Sequence, residues 1–212
     1  MLSAHDHSAD GHRGKGRPRA FDRSLALRRA LEVFWQKGYA PASVAELCEA
    51  MGIKPPSLYA GFGNKSSLFI EAVRHYEREY WTAPNQQFFV EPDIYRAVAG
   101  YFDTAATILL SPDTPCGCMV VLAAVNISES EREVIAAIAL LRQATKDMFA
   151  ARLHRAVVEH QLPPGTEVSS LACALNTFLE GLSIQARDGL LLSELKAVAA
   201  HAVRLLPPPP AK

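Results

Sequence analysis

"SVAELCEAMGIKPPSLYAGFGNK", residues 43–65, decides the fold. Ser43 and Glu46 stand three apart before an apolar run. That is the spacing of a capping box, in which the hydroxyl accepts from the Glu46 amide and the carboxylate reaches back. A short helix therefore starts at Ser43 and stops at Met51-Gly52, where glycine takes the left-handed turn at little cost. Pro55 and Pro56 would break a helix interior, but the first amides of a helix have no intrahelical partner. They head a third helix, with Lys54 at its cap and Gly61 and Gly63 at its end. Asn64 then caps a fourth helix, which buries Leu68, Phe69, Ala72, Val73 and Tyr76. Two helices joined by the tight turn "MGIK" make a helix-turn-helix. Its apolar positions Val44, Leu47, Ile53 and Leu58 pack on a preceding helix over Arg23–Lys37, whose Leu27, Ala30, Leu31 and Phe34 share one face. Asp22 caps that helix and Gly38 closes it.

No other stretch alternates apolar and polar residues as a strand would, so the chain is all-α. After Trp81, "TAPNQQFFVEPD" reads as a break between an N-terminal head and a larger body. Helices are expected over 93–110, briefly near Cys118, over a long segment opened by a second capping box, "SESE" at Ser128, and over 167–187 and 193–206. The long one carries Val134, Ile138, Leu141, Thr145 and Met148 on one face, and "PPPP" ends all order. This divides the chain into a basic arm (1–20), the helix-turn-helix head (21–82), the body (83–206) and a tail (207–212).

At 212 residues, 49% hydrophobic and 21% charged, the composition is that of a soluble globular protein. No apolar run reaches the roughly 18 residues of a membrane span, and "MLSAHDHSADGHRGKGRPR" has no apolar core of a secretory signal. A cytoplasmic protein without membrane partners is expected. Four cysteines (Cys48, Cys116, Cys118, Cys173) are too few for a secreted disulfide scaffold. The net charge is zero but uneven. Residues 11–37 hold eight basic against two acidic side chains, whereas residues 83–212 hold 13 acidic against 10 basic. A basic front on an acidic body points to a polyanion partner.

The stretches "ALEVFWQKGY", "SVAELCEAMGI" and "PPSLYAGFGNKSSLF" resemble the TetR family of transcriptional regulators over about residues 26–76. "GCMVVLAAV" and "EGLSIQARDG" resemble one of its branches more loosely. The resemblance implies a fold of roughly nine helices, three of them a DNA-binding head and the rest a ligand-binding and dimerisation body. It implies a sequence-specific regulator, a repressor released from a palindromic operator by a small-molecule effector, without cofactor or catalysis. Homodimerisation is expected through the last two helices, whose apolar stripes carry Ala172, Ala174, Gly181, Ala199 and Ala202.

Each DNA-facing residue has its own expected role. Ser43 holds a phosphate at a helix N-terminus. Lys65 matches the family's phosphate lysine, and Tyr59 donates its hydroxyl to a phosphate. Lys54, Pro55, Pro56 and Ser57 face the major groove and read bases. Many family members have serine, lysine, glycine and threonine at the start of this helix, so two amides are missing here and apolar contact with a thymine methyl substitutes for them. "GRPR" at 16–19 suits a narrow, A·T-rich minor groove, with Arg17 and Arg19 entering it.

In the body, Phe102, Met119, Asn126, Met148, Phe149, Asn176 and Phe178 are the candidate effector lining. "CGC" at 116–118 admits an alternative in which Cys116 and Cys118 sense a soft metal or an oxidant. A helical-bundle enzyme using Cys118 or His154 is the rival of another class. It finds no repeated Glu-x-x-His pair, no phosphate loop and no nucleophile with a base.

Overall fold

The computed structural model describes residues 21–209, and every regular element among them is helical. Helix α1 (Arg23–Lys37), α2 (Val44–Met51), α3 (Pro55–Phe62) and α4 (Lys65–Tyr76) form the head. The local signals act as their chemistry requires. Asp22 accepts from the Leu25 amide, and Ser43 and Glu46 close a full capping box. Gly52 sits at φ 68°, a left-handed conformation that glycine adopts without strain. Pro55 and Pro56 occupy the first two positions of α3, and Asn64 caps α4. Leu27, Ala30, Leu31, Phe34, Leu47, Leu58, Phe62, Leu68 and Phe69 close a common core, with Phe34 edge-on to Phe69 at 5.0 Å.

The expected break over "TAPNQQFFVEPD" is confined to its last three residues. The chain passes from α4 through a π-helical turn, Glu77–Trp81, into α5 (Thr82–Val90), and breaks only at Glu91–Asp93. Pro84 explains both the expectation and its failure. Its ring presses on the carbonyl four residues back and it offers no amide. The wider π turn lies directly ahead of it, where one i→i+5 turn absorbs the mismatch. Head and body therefore share one continuous rod.

The body continues with α6 (Ile94–Leu109), α7 (Met119–Leu122), α8 (Arg132–Val158), α9 (Val168–Arg187) and α10 (Leu192–Ala199), followed by a 3₁₀ turn at Ala202–Leu205. Phe88, Tyr101, Phe102 and Phe149 form its aromatic core, with Phe102 and Phe149 stacked at 6.1 Å and Phe102 edge-on to Phe178 at 5.5 Å. The "SESE" capping box does not form. Ser128 bonds to Ser130 instead, and α8 starts four residues later with Glu131 at its cap. The Glu131 carboxylate is taken up by the head, where Tyr39 and Ser66 donate to it at 2.6 and 3.0 Å. No helix among the described residues is long and apolar enough to cross a membrane.

Candidate nucleic-acid interface

Helix α3 buries Leu58 and Phe62 and turns the opposite face outward. Lys54, Pro55, Pro56 and Tyr59 are exposed on that face, and Ser57 is half-buried beside them. Tyr59 is 53% exposed there. Lys54 has no side-chain hydrogen bond at the cap. With two prolines in place of amide donors, the start of α3 offers an apolar surface with one cation beside it.

Ser43 is exposed, but its hydroxyl is engaged. It donates to the Glu46 carboxylate at 3.0 Å and accepts from the Glu46 amide at 3.2 Å. Lys37 pairs with the same carboxylate at 2.6 Å; together with the Ser43 amide and hydroxyl it holds Glu46 down at about 2. Lys65 is half-buried rather than outward. Its ammonium donates to the Ala40 carbonyl at 3.2 Å and lies 4.5 Å from the centre of the Tyr39 ring. Arg17 and Arg19 lie outside the described residues.

A second set of contacts, not legible in the sequence, ties the head to the body. The Tyr39 amide donates to the Ala123 carbonyl at 2.7 Å, and the Trp35 indole to the Gly117 carbonyl at 2.8 Å. Arg187 of α9 reaches the Trp35, Gln36 and Cys116 carbonyls. Tyr39 is pushed up to about 12, first by burial and then by its hydrogen bond to Glu131. Gly117 has φ 84°, and an added Cβ would lie 2.4 Å from Leu122 and 2.9 Å from the Ser183 carbonyl, so this approach requires glycine.

Of the candidate effector residues, only Asn176 lines a small cavity of about 30 Å³ between the π turn, α7, α8 and α9, and Phe178 lines a separate open groove. Phe102, Met119 and Phe149 are fully buried packing residues. Met148 and Phe178 pack against the core from its edge, and Asn126 is exposed in a left-handed loop position. The cavity is walled by Glu77 and Trp81 of the π turn, Asn85 of α5, Cys118 before α7, and Arg142 of α8. Arg142 is engaged with the Val120 and Val121 carbonyls. Cys118 is buried and pushed up to about 11, so its thiol is protonated near neutrality.

Burial lifts the Glu77 carboxyl to about 7. The unfolded chain releases this proton near pH 4.5 and the folded chain only near 7, so the ionised form opposes folding. The cost is absent below pH 4.5, grows between 4.5 and 7, and is complete above 7, at about 3 kcal/mol. Glu77→Gln is expected to remove that slope. Urea unfolding at pH 5 and pH 8 checks it; equal pH profiles for both proteins contradict it.

Comparison with known proteins agrees with this geometry. The family model for bacterial regulatory proteins of the tetR family matches residues 26–72. The HTH-type transcriptional repressor ComR of Escherichia coli (strain K12) is 34% identical over 196 residues, covering 92% of this chain and 93% of that protein. The HTH-type transcriptional repressor BdcR of the same organism is 28% identical, over 88% of this chain and 90% of its own length. A cysteine-substituted form of the TetR family transcriptional regulator CifR, complexed with 26-bp double-strand operator DNA, superimposes with a TM-score of 0.86. It shares 39% identity over 91% of this chain and 100% of its own. The chain belongs to the TetR family and is a DNA-binding transcriptional regulator.

Proposed function

We propose that the chain is a homodimeric repressor, without catalytic activity, that reads a palindromic operator through α3 and leaves it when a small molecule enters the body. The observation that carries this reading is the outward face of α3, where Lys54, Pro55, Pro56 and Tyr59 stand together and exposed. ComR and BdcR are transcriptional repressors, and CifR is held on operator DNA. In this reading Pro55 and Pro56 contact thymine methyls, Lys54 and Ser57 reach base edges, and Tyr59 contacts a phosphate. Ser43 and Lys65 take phosphates only after giving up their present partners, Glu46 and Ala40. The head spans 21–82 and the body 83–206, flanked by the arm carrying Arg17 and Arg19 and by the tail.

An apolar groove on α9 and α10 supports dimerisation through these helices. Ala174, Phe178, Gly181, Leu182, Val198 and Leu205 line an open apolar groove of about 510 Å³. Val198 and Leu205 remain 37% and 40% exposed, and Ile184 of α9 is 47% exposed. A stripe of this kind over two helices packs against its own copy about a twofold axis. Release by an effector requires a ligand that prefers the form unable to hold both half-sites.

Lys54→Ala is the test. Operator affinity is expected to fall about tenfold, with discrimination lost at one base pair in each half-site. Fluorescence anisotropy against the operator and its single-base variants measures both. Unchanged affinity and unchanged discrimination would remove α3 from the reading surface.

A further inference from the structure

We propose that Glu131 is a positioning residue for operator binding: from the start of α8 it grips the DNA-binding head at two hydroxyls and so sets the half-site spacing that the dimer accepts. This rests on the dimeric, palindrome-reading function proposed above and names a residue that fixes its geometry. Glu131 Oε2 accepts from the Tyr39 hydroxyl at 2.6 Å and from the Ser66 hydroxyl at 3.0 Å, and the two hydroxyl oxygens lie 2.9 Å apart. Each hydroxyl has one proton to give, so at most two of these three contacts are hydrogen bonds at once. Bonds to a carboxylate are charge-assisted and about twice as strong as neutral ones, so those to Glu131 prevail. The same bonds, Tyr39 first, hold the Glu131 carboxyl below its ordinary range and ionised near neutrality.

The three residues come from separate parts of the chain. Tyr39 lies in the turn after α1, Ser66 is the second residue of α4, and Glu131 is the N-cap of α8. The Glu131 side chain makes no capping bond to its own helix. Its carboxylate serves the head instead. Helix α8 is 27 residues long and packs along α9, one of the two helices proposed to form the dimer interface. The grip therefore joins the head to a stiff lever that leads to the partner subunit.

Its place in the head gives the grip its effect. The hydrogen bonds of Trp35, the Tyr39 amide and Arg187 gather at the C-terminal end of α1 and hold one edge of the head. Glu131 adds a hold at the start of α4, which opposes rotation about that edge. Ser66 follows Lys65 directly, and the Lys65 ammonium lies 4.5 Å from the centre of the Tyr39 ring. Helix α3 ends at Phe62, four residues before Ser66. A shift at Ser66 is passed to Lys65 and to the reading helix together. Without the carboxylate, Tyr39 and Ser66 still bond to each other within the head. No hydroxyl is then left unmet, so the head stays folded and only its angle is freed.

The experiment uses the full chain and the inverted repeat that it selects from random duplexes, with versions carrying one base pair more or fewer between the half-sites. Each base pair changes the separation by about 3.4 Å and the relative rotation by about 35°. Fluorescence anisotropy gives the affinity ratio between the selected spacing and the altered ones. Calorimetry and sedimentation velocity give Tm and oligomeric state. Glu131→Leu is expected to lower the ratio by about fivefold or more, while staying dimeric with a Tm within about 3 °C of the unaltered chain. Glu131→Gln keeps an acceptor oxygen for both hydroxyls and is expected to retain more of the ratio. A Glu131→Leu protein weakened by one common factor at every spacing, or not weakened at all, overturns the role. Equal losses in the two variants overturn the hydrogen-bonded grip. If Glu131→Leu fails to fold, Tyr39→Phe combined with Ser66→Ala removes both donors and decides by the same ratio. An unaltered chain that binds all spacings alike overturns the dimeric reading itself, whereas a spacing-selective unaltered chain with an equally selective Glu131→Leu overturns the role of Glu131 alone.

Discussion

Replacing Gly181 by arginine is expected to convert the proposed dimer to a monomer and to weaken operator binding by about 100- to 10,000-fold. The protomer itself has room for the change. An added Cβ at Gly181 meets nothing within 4 Å, and glycine in a helix interior is a poor helix former. The guanidinium instead projects into the groove lined by Phe178, Leu182 and Val198. In a symmetric interface the substitution appears twice, placing two like charges in apolar surface without partners. A single head then binds a single half-site and the gain from linked binding is lost. Sedimentation velocity and operator titration measure the two effects together. A stable Gly181→Arg dimer, or a monomer with unimpaired affinity, contradicts the proposed interface.

The second large effect concerns stability. Arg152 of α8 is completely buried, yet among the described residues its partners are backbone carbonyls and not carboxylates. Its Nε donates to the Phe88 carbonyl at 3.3 Å, and Nη2 to the Glu91 and Pro92 carbonyls at 2.8 and 3.1 Å. These carbonyls lie where α5 ends, and the last carbonyls of a helix have no intrahelical donor. The negative end of the helix dipole holds the cation there. Arg152→Met keeps most of the volume but leaves fixed backbone acceptors buried and unmet, which no side-chain rearrangement can delete. The expected cost is about 3 kcal/mol, or a drop in Tm of about 6–12 °C for a chain of this size. Calorimetry on the DNA-free protein checks it. A change of less than about 2 °C would show that the carbonyls find other donors.

The parts of this molecule legible in its sequence are those set by neighbours along the chain. Ser43 with Glu46, Pro55 with Pro56, Asn64 and Gly52 each fix a helix end within four residues, and those ends fall where the local chemistry puts them. The exposed reading face follows from α3 being short and two-sided. Misread elements were those in which a distant group outcompeted a local one. Ser128 and Glu131 have capping-box spacing, but Tyr39 and Ser66 reach Glu131 from the head. Pro84 signals a break, but packing of α5 on α6 keeps the rod helical through a π turn. Arg152 looks like any surface arginine until α5 is seen to end against it. Of the expected effector lining, Phe102 and Phe149 stack in the core, while the polar wall of the small cavity comes from the end of the rod that carries α4 and α5.

Selection from a random duplex library with the full-length chain tests the account most directly. Enrichment of one inverted-repeat sequence is expected, its half-site centres about one helical turn or a multiple apart. Recovery of no sequence above scrambled duplex at modest ionic strength would contradict it.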